Sequence, residues 1–514
     1  MNIASPYCVL LIICTLSAYY VLPAQSRWLA LLVASMVFYS CSGMGSLALI
    51  ICSSAVSFAG ARMFSHYTQL VRSAKKSMTE AALFTAFKKR IRTRKRIVLF
   101  AILAVHFGLL ACMKYLPHPF LPAKYFSLLG ISFYTFQMAG YVIDVYNGKY
   151  GAEKNFLRYL LFTTFFPYLI QGPINRYDSL GKELSEPHSF DFENVRDGLL
   201  QILIGALKKY AIADMLSPYI SRIFDSRYDN LPGCIIVFGI LHYSLYQYAD
   251  FSGGIDMVLG IARLFGIKMQ PNFRQPYFST SLADFWRRWH ISLGLWMRDY
   301  VFYPLALTKA MQSFGRRCGR LNSHLGRTLP ACIANIVVFF LVGIWHGVEM
   351  HFIVWGLYNG IVIAVGDLCE PLVTRVCSCL RMRTTSAAFY LFRIIRTFVI
   401  VNVGWYFDRI TDIGKCFRFL ANTVTKFHAA EFHEATAVLF NGLSYIKGTR
   451  CIAGMALLIA FAIEVMKERN VDVYAFYGKR NVAVRWGFCY LCMIIIMVSF
   501  HFVQGHTGFM YAQY

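Results

Sequence analysis

Apolar stretches long enough to cross a bilayer recur along almost the whole chain, near 7–23, 28–42, 45–61, 97–113, 127–146, 156–172, 198–216, 233–250, 330–347, 351–368, 388–407, 451–466 and 486–504. Hydrocarbon about 30 Å thick takes roughly 20 apolar residues of helix to cross. Inside it every backbone polar group must be satisfied within the segment, which leaves helices as the form such runs can take. The expectation is an all-α, polytopic integral membrane protein of roughly ten to twelve transmembrane helices, the shorter or polar-spotted runs being tilted, re-entrant or buried among others. Composition agrees, since 57% of the residues are hydrophobic and only 15% charged, against about 25% charged in soluble domains. One integral membrane domain over 1–514 is therefore expected in place of the roughly three domains a soluble chain of this length would form.

A formal net charge of +25 would suggest nucleic acid in a soluble protein. The placement of the charges argues for a membrane and against nucleic acid. Between Arg62 and Arg96 eleven Lys or Arg face a single acid, Glu80, with apolar segments on both sides. That pattern reads as a cytoplasmic, positive-inside loop, and the three spans before it put the N-terminus outside. Further basic clusters at Lys309 to Arg327, Arg375 to Arg383 and Lys467 to Arg485 are separated in each case by two apolar segments. All can be cytoplasmic together, which puts the 347–351 turn, the 408–450 loop and the C-terminus outside.

Most of the fifteen cysteines sit in apolar runs, as Cys8, Cys14, Cys52, Cys112 and Cys332 do, and read as small core or lipid-facing residues. Cys377 with Cys379, and Cys489 with Cys492, lack a second cysteine or histidine pair at zinc-site distance, so no metal is expected. No Lys or Arg precedes Arg27, so the charged start of a cleaved signal peptide is missing and the first helix is expected to stay.

Two clusters carry the chemistry. Asp284-Phe285-Trp286-Arg287-Arg288-Trp289-His290-Ile291-Ser292-Leu293 continues through Trp296, Arg298 and Asp299; on composition it reads as an amphipathic helix in the membrane interface. Gly343-Ile344-Trp345-His346-Gly347 ends the apolar run that begins at Pro330. An ionisable residue so placed is costly in a membrane and points to function, although a histidine merely hydrogen-bonded to a neighbouring helix is the plainer alternative. Burial keeps an imidazole neutral, and neutral imidazole is a competent base.

These clusters belong to a longer ordered set: Gly130-Ile131-Ser132-Phe133-Tyr134-Thr135-Phe136-Gln137, Phe166-Pro167 with Gly172-Pro173-Ile174, Asp250-Phe251-Ser252-Gly253, Asn272-Phe273 with Pro276-Tyr277, and Trp345-His346-Gly347 with Trp355-Gly356. Taken together the set resembles the membrane-bound O-acyltransferases, in particular the bacterial branch of alginate O-acetylation proteins and the D-alanyl transfer protein of teichoic acid modification. The resemblance implies a ring of tilted helices around a central catalytic funnel, with core motifs in 127–360 and further helices in 388–514. It carries the family's two histidines onto His346 and His290. His346 would take the proton of an attacking hydroxyl while His290 orients the acyl thioester, with either able to act first, and Trp286, Arg288 and Trp345 would line the donor path. No bound cofactor is implied, only a thioester co-substrate such as acetyl-CoA or an acyl-carrier protein.

The ending Phe509-Met510-Tyr511-Ala512-Gln513-Tyr514 resembles the aromatic terminus of this branch, which makes Tyr511 a candidate acyl relay to an extracytoplasmic partner or polymer acceptor; its plainer alternative is an aromatic membrane anchor. Gly254 and Asn359 depart from the family pattern, in which Tyr and His are frequent, and so bear on acceptor or partner. The implied function is transfer of an acyl group, acetyl first, from a cytoplasmic donor to hydroxyls of an extracellular polysaccharide, in the inner membrane of a bacterium. D-alanyl transfer to teichoic acid is the near alternative. A transporter or flippase is the remote one, for which no internal repeat appears.

Overall fold

The computed structural model describes residues 5–115, 130–168, 171–225, 230–440, 446–502 and 508. Among the described residues the chain is built of helices, with no strand. Six helices among the described residues are long and apolar enough to cross a membrane: Met44–Ser77, Ala81–Tyr115, Ser323–His346, Met350–Cys379, Ala387–Arg409 and Val482–Phe502. That is fewer than the number of apolar runs, because some runs are interrupted. The 156–172 run is helical only over Phe156–Thr164 before a short 3-10 turn at Phe166–Tyr168. The 198–216 run is broken by a π-helical turn at Leu207–Ala213 that carries Lys208 and Lys209.

The chain forms two compact units. The first comprises Met1–Ile202, Val258–Gln270 and Gly508–Tyr514. Here the basic segment expected as a loop is helix instead, divided between the end of Met44–Ser77 and the start of Ala81–Tyr115. Lys and Arg are good helix formers, so the helices run on past their apolar halves. At 1.5 Å per residue each is about 50 Å long, well beyond the hydrocarbon, and the charged halves project from it. Polar contacts tie the apolar halves together, with Ser57 Oγ 2.6 Å from His106 Nε2 and Ser54 Oγ 2.8 Å from Thr163 Oγ1. Gly130 takes a left-handed φ of 70° to open the Ile131–Asn147 helix, nearly all of which is buried.

The second unit comprises Leu203–Met257 and Pro271–Thr507. Its centre is the hairpin of Ser323–His346 and Met350–Cys379. Gly343 lies against Gly356, and an added Cβ on Gly343 would stand 2.6 Å from the Phe352 carbonyl oxygen and 3.4 Å from Gly356 Cα. Where lipid removes the hydrophobic drive between helices, close approach at small residues is what holds them. The 408–450 segment is not a bare loop, as it contains the helices Ile413–Thr425 and Phe432–Leu439.

Candidate active site

His346 is the last residue of the Ser323–His346 helix, whose 24 residues rise about 36 Å. The imidazole therefore sits at the far end of a full-length span from the basic residue Arg327. The extended Gly347 stops the helix, and a Cβ there would run into the Phe352 ring. His346 is 7% exposed. Its ring stacks on Phe352 at 5.8 Å and 24°, and meets Trp355 at 5.1 Å and Trp345 at 4.7 Å edge to face.

The Trp-His segment is not a continuous interfacial helix. A seven-residue helix, Leu282–Arg288, gives way at Trp289 and His290 before a second, Ile291–Met297. Asp284 to Leu293 folds inward, with Phe285, Trp289, His290, Ser292 and Leu293 all buried. His290 lies at φ 47°, ψ 53°, a left-handed conformation that an L-residue keeps only when its surroundings impose it. The imposing element is the extended segment from Asn272. The Ile291 N–H donates to the Asn272 carbonyl and the Arg274 N–H to the Arg288 carbonyl, both at 2.9 Å. Burial pushes the His290 imidazole down to about 3, so it is neutral at physiological pH.

Trp345 joins the two histidines, its ring being 6.3 Å from that of His290 and 4.7 Å from that of His346. On the other side Phe251 stands perpendicular to His290 at 4.9 Å. Trp286 reaches the same cluster through Trp355 at 5.5 Å, and donates its indole N–H to Asn359 Oδ1 at 3.0 Å. The Asn359 amide in turn donates to the Trp355 carbonyl at 2.8 Å. The residue that departs from the family pattern thus holds the Trp286 indole, which packs against Trp355 beside His346. Trp345 lies against both histidines, and Trp286 reaches His346 only through Trp355. The Arg288 guanidinium instead pairs with Glu468 at 2.8 Å and Asp284 at 3.2 Å, so its charge is spent holding the segment. Tyr511 lies outside the described residues.

Sequence reasoning missed the ionic support beneath this segment. Lys208 donates to Asp256 at 3.0 Å and to Glu464 at 2.9 Å, and its ammonium lies over the Tyr248 ring. The other oxygen of Glu464 accepts from Gln275, a second left-handed non-glycine at φ 42°. Lys209 pairs with Asp250 at 2.6 Å and Asp214 at 2.9 Å. The available signal was charge of both signs inside apolar runs, Lys208 and Lys209 in 198–216 and Glu464 in 451–466. His351 is structural: its Nδ1–H donates to the Phe407 carbonyl at 2.8 Å.

Residues 151–403 match the model of the membrane-bound O-acyltransferase family. The probable alginate O-acetylase AlgI of Azotobacter vinelandii is 30% identical over 415 residues, 79% of this chain and 74% of that protein. The peptidoglycan O-acetyltransferase of Helicobacter pylori is 30% identical over 58% of this chain and 56% of its own length. The teichoic acid D-alanyltransferase of Bacillus subtilis is 30% identical over 49% of this chain and 62% of its own. This multi-pass membrane protein is an acyltransferase that belongs to the membrane-bound O-acyltransferase family.

Proposed function

We propose that the enzyme moves an acetyl group from a cytoplasmic thioester across the inner membrane of a bacterium to hydroxyls of an extracellular polysaccharide, with His346 and His290 as its catalytic residues. The observation that carries this reading is a histidine at the far end of a spanning helix, enclosed by aromatic rings and joined through Trp345 to a second buried histidine. His346 accepts the proton of the acceptor hydroxyl as its oxygen attacks the thioester carbonyl. The C–S bond then breaks, and the imidazolium returns the proton to the departing thiolate. A positioned base of this kind is typically worth about 10²–10⁴-fold in rate. His290 orients the thioester, and Trp286 and Trp345 line its path.

The donor is acetyl-CoA or an acyl-carrier protein, and no bound cofactor takes part. The acceptor side completes transfer through an extracytoplasmic acyltransferase partner or directly to the polymer, with Tyr511 as a possible relay. The whole chain forms one integral membrane domain, a reading supported by a family match that runs through residues of both units. We further propose ten to twelve crossings in a ring around a central funnel, with both termini outside. The apolar runs beyond the six long helices and the spacing of the basic clusters support this. Acetyl transfer is favoured over D-alanyl transfer because the alginate O-acetylase matches 79% of this chain and the D-alanyltransferase 49%.

The test is transfer of radiolabelled acetyl from cytosolic thioesters to cell-surface polymer in the native host, wild type against His346→Ala. Label that appears only with the wild type supports the reading. Label unchanged by the substitution, in protein present in the membrane at wild-type level, makes His346 structural and sinks it.

A further inference from the structure

The tautomer of His290 is written in its hydrogen bonds. Asn272 is fully buried, and its side-chain amide lies edge-on to His290 Nδ1, with Nδ2 at 3.2 Å and Oδ1 at 3.3 Å. Oδ1 already accepts from the Ser292 N–H at 2.9 Å and the Ser292 hydroxyl at 2.8 Å. A carbonyl oxygen has two lone pairs, and Ser292 engages both. The bond to His290 is therefore left to the amide NH₂, which can only donate. The imidazole Nδ1 receives it as an acceptor, and in a neutral ring the proton then resides on Nε2.

We infer that Asn272 is a positioning residue that holds His290 as the Nε2–H tautomer, so that His290 serves the reaction as a hydrogen-bond donor to the thioester carbonyl oxygen and not as a base. This rests on the reading of His290 as the group that orients the donor. It divides the work between the two histidines. The proton acceptor is His346, and His290 supplies an N–H where negative charge develops on the carbonyl oxygen. The backbone serves the same end, since the Asn272 carbonyl accepts from Ile291 and fixes the left-handed turn at His290.

Among the described residues, the charged groups on the elements packed around the ring are engaged with one another. On its own segment Arg288 is paired with Glu468 and Asp284, and Arg287 lies 3.8 Å from Asp284. On the helix that carries Phe251, Asp250 is paired with Lys209, which also holds Asp214. The Ser323–His346 helix brings Trp345 to the ring and, beyond it, His346.

The experiment uses the full chain, labelled with ¹⁵N-histidine, in phosphatidylcholine and phosphatidylglycerol liposomes. The His290 resonances in solid-state NMR are identified as those lost in His290→Gln. The expected wild-type spectrum has the unprotonated nitrogen at Nδ1. A proton on Nδ1 overturns the proposal whatever the activity. The nearly isosteric Asn272→Asp offers an acceptor where the amide donated, and so should move the proton to Nδ1.

Turnover is followed in parallel with [¹⁴C]acetyl-coenzyme A. Asn272→Asp is expected to lower kcat by about 10²–10³-fold at neutral pH, the loss typical of one donor to an oxyanion. It should recover as pH falls, because an imidazolium carries protons on both nitrogens and the introduced carboxylate favours that form. Asn272→Leu should lose activity without acid recovery. A wild-type rate with a flat pH profile in Asn272→Asp overturns the inference while leaving the site intact. A wild-type rate in His290→Gln overturns the donor-orienting role itself.

Discussion

Gly343 and Gly356 meet across the hairpin that carries His346, so closely that a Cβ on Gly356 would lie 3.2 Å from Gly343 Cα and closer still to the Phe339 carbonyl oxygen. The obstructing atoms are backbone, which cannot turn aside as a side chain can. Gly343→Ala and Gly356→Ala should each destabilise by about 1–3 kcal/mol through overpacking. Gly366, on the same helix as Gly356, has nothing within 4 Å of an added Cβ. Gly366→Ala should therefore be neutral, or stabilise by up to about 1 kcal/mol through helix propensity. Thermal unfolding of the three variants in one detergent checks the contrast, and equal shifts would refute the packing argument.

The buried cluster of Lys208, Asp256 and Glu464 makes a second prediction, concerning the order of damage. Lys208→Met leaves the buried Glu464 and the partly buried Asp256 without this cation, whereas Glu464→Gln leaves Lys208 its bond to Asp256. Removing one partner of a buried ion pair typically costs about 3–5 kcal/mol, and Lys208→Met should lie at or above that range with Glu464→Gln below it. The double variant should cost less than the sum of the singles, because the two side chains share one interaction. Denaturation of all three variants gives the coupling directly, and strict additivity would mean that the pair is not energetically linked.

Stability should also fall on acidification, for a reason traceable to His290. Burial holds its folded pKa at about 3, against 6.5 as the ordinary value. Between these values the unfolded chain binds a proton that the folded chain does not, so stability rises with pH across the window. The contribution is complete above 6.5 and is lost progressively as pH falls towards 3, at about 1.4 kcal/mol per pH unit where the difference in protonation is full. Unfolding free energies at pH 7.5 and pH 5 should differ less in His290→Gln than in the wild type. An unchanged difference would show that acid sensitivity arises elsewhere.

Trp286→Phe removes the N–H that Asn359 Oδ1 accepts and leaves a buried acceptor unmet, a loss of about 1–3 kcal/mol. Asn359→His supplies a ring nitrogen that can accept the same bond, so it should keep more activity than Asn359→Leu. Comparing acetyl transfer in the two Asn359 variants tests this, and equal rates would show that the bond does not matter to catalysis.

The membrane class and the burial of His346 were legible because each depends on local pattern, in one case the length of apolar runs and in the other an ionisable residue at the end of one. What the pattern hid was set by partners distant in sequence. Asp284 to Leu293 has the composition of an amphipathic helix, yet it breaks at His290 because Asn272 and Arg274 bond across to it. The stretch from Arg62 to Arg96 looked like a loop by charge, yet Lys and Arg extend helices as readily as they end spans. Lys208 and Glu464 are 256 residues apart, and neither apolar run announces which charge the other neutralises.

The family model spans residues 151–403, but Glu464 and Glu468, one helical turn apart, hold Gln275, ahead of the Trp-His segment, and Arg288 within it. Support for the segment therefore comes from beyond the stretch that the family model spans. Trimming to residues 151–403 would leave both His290 and His346 in the polypeptide and remove the two carboxylates that hold Gln275 and Arg288.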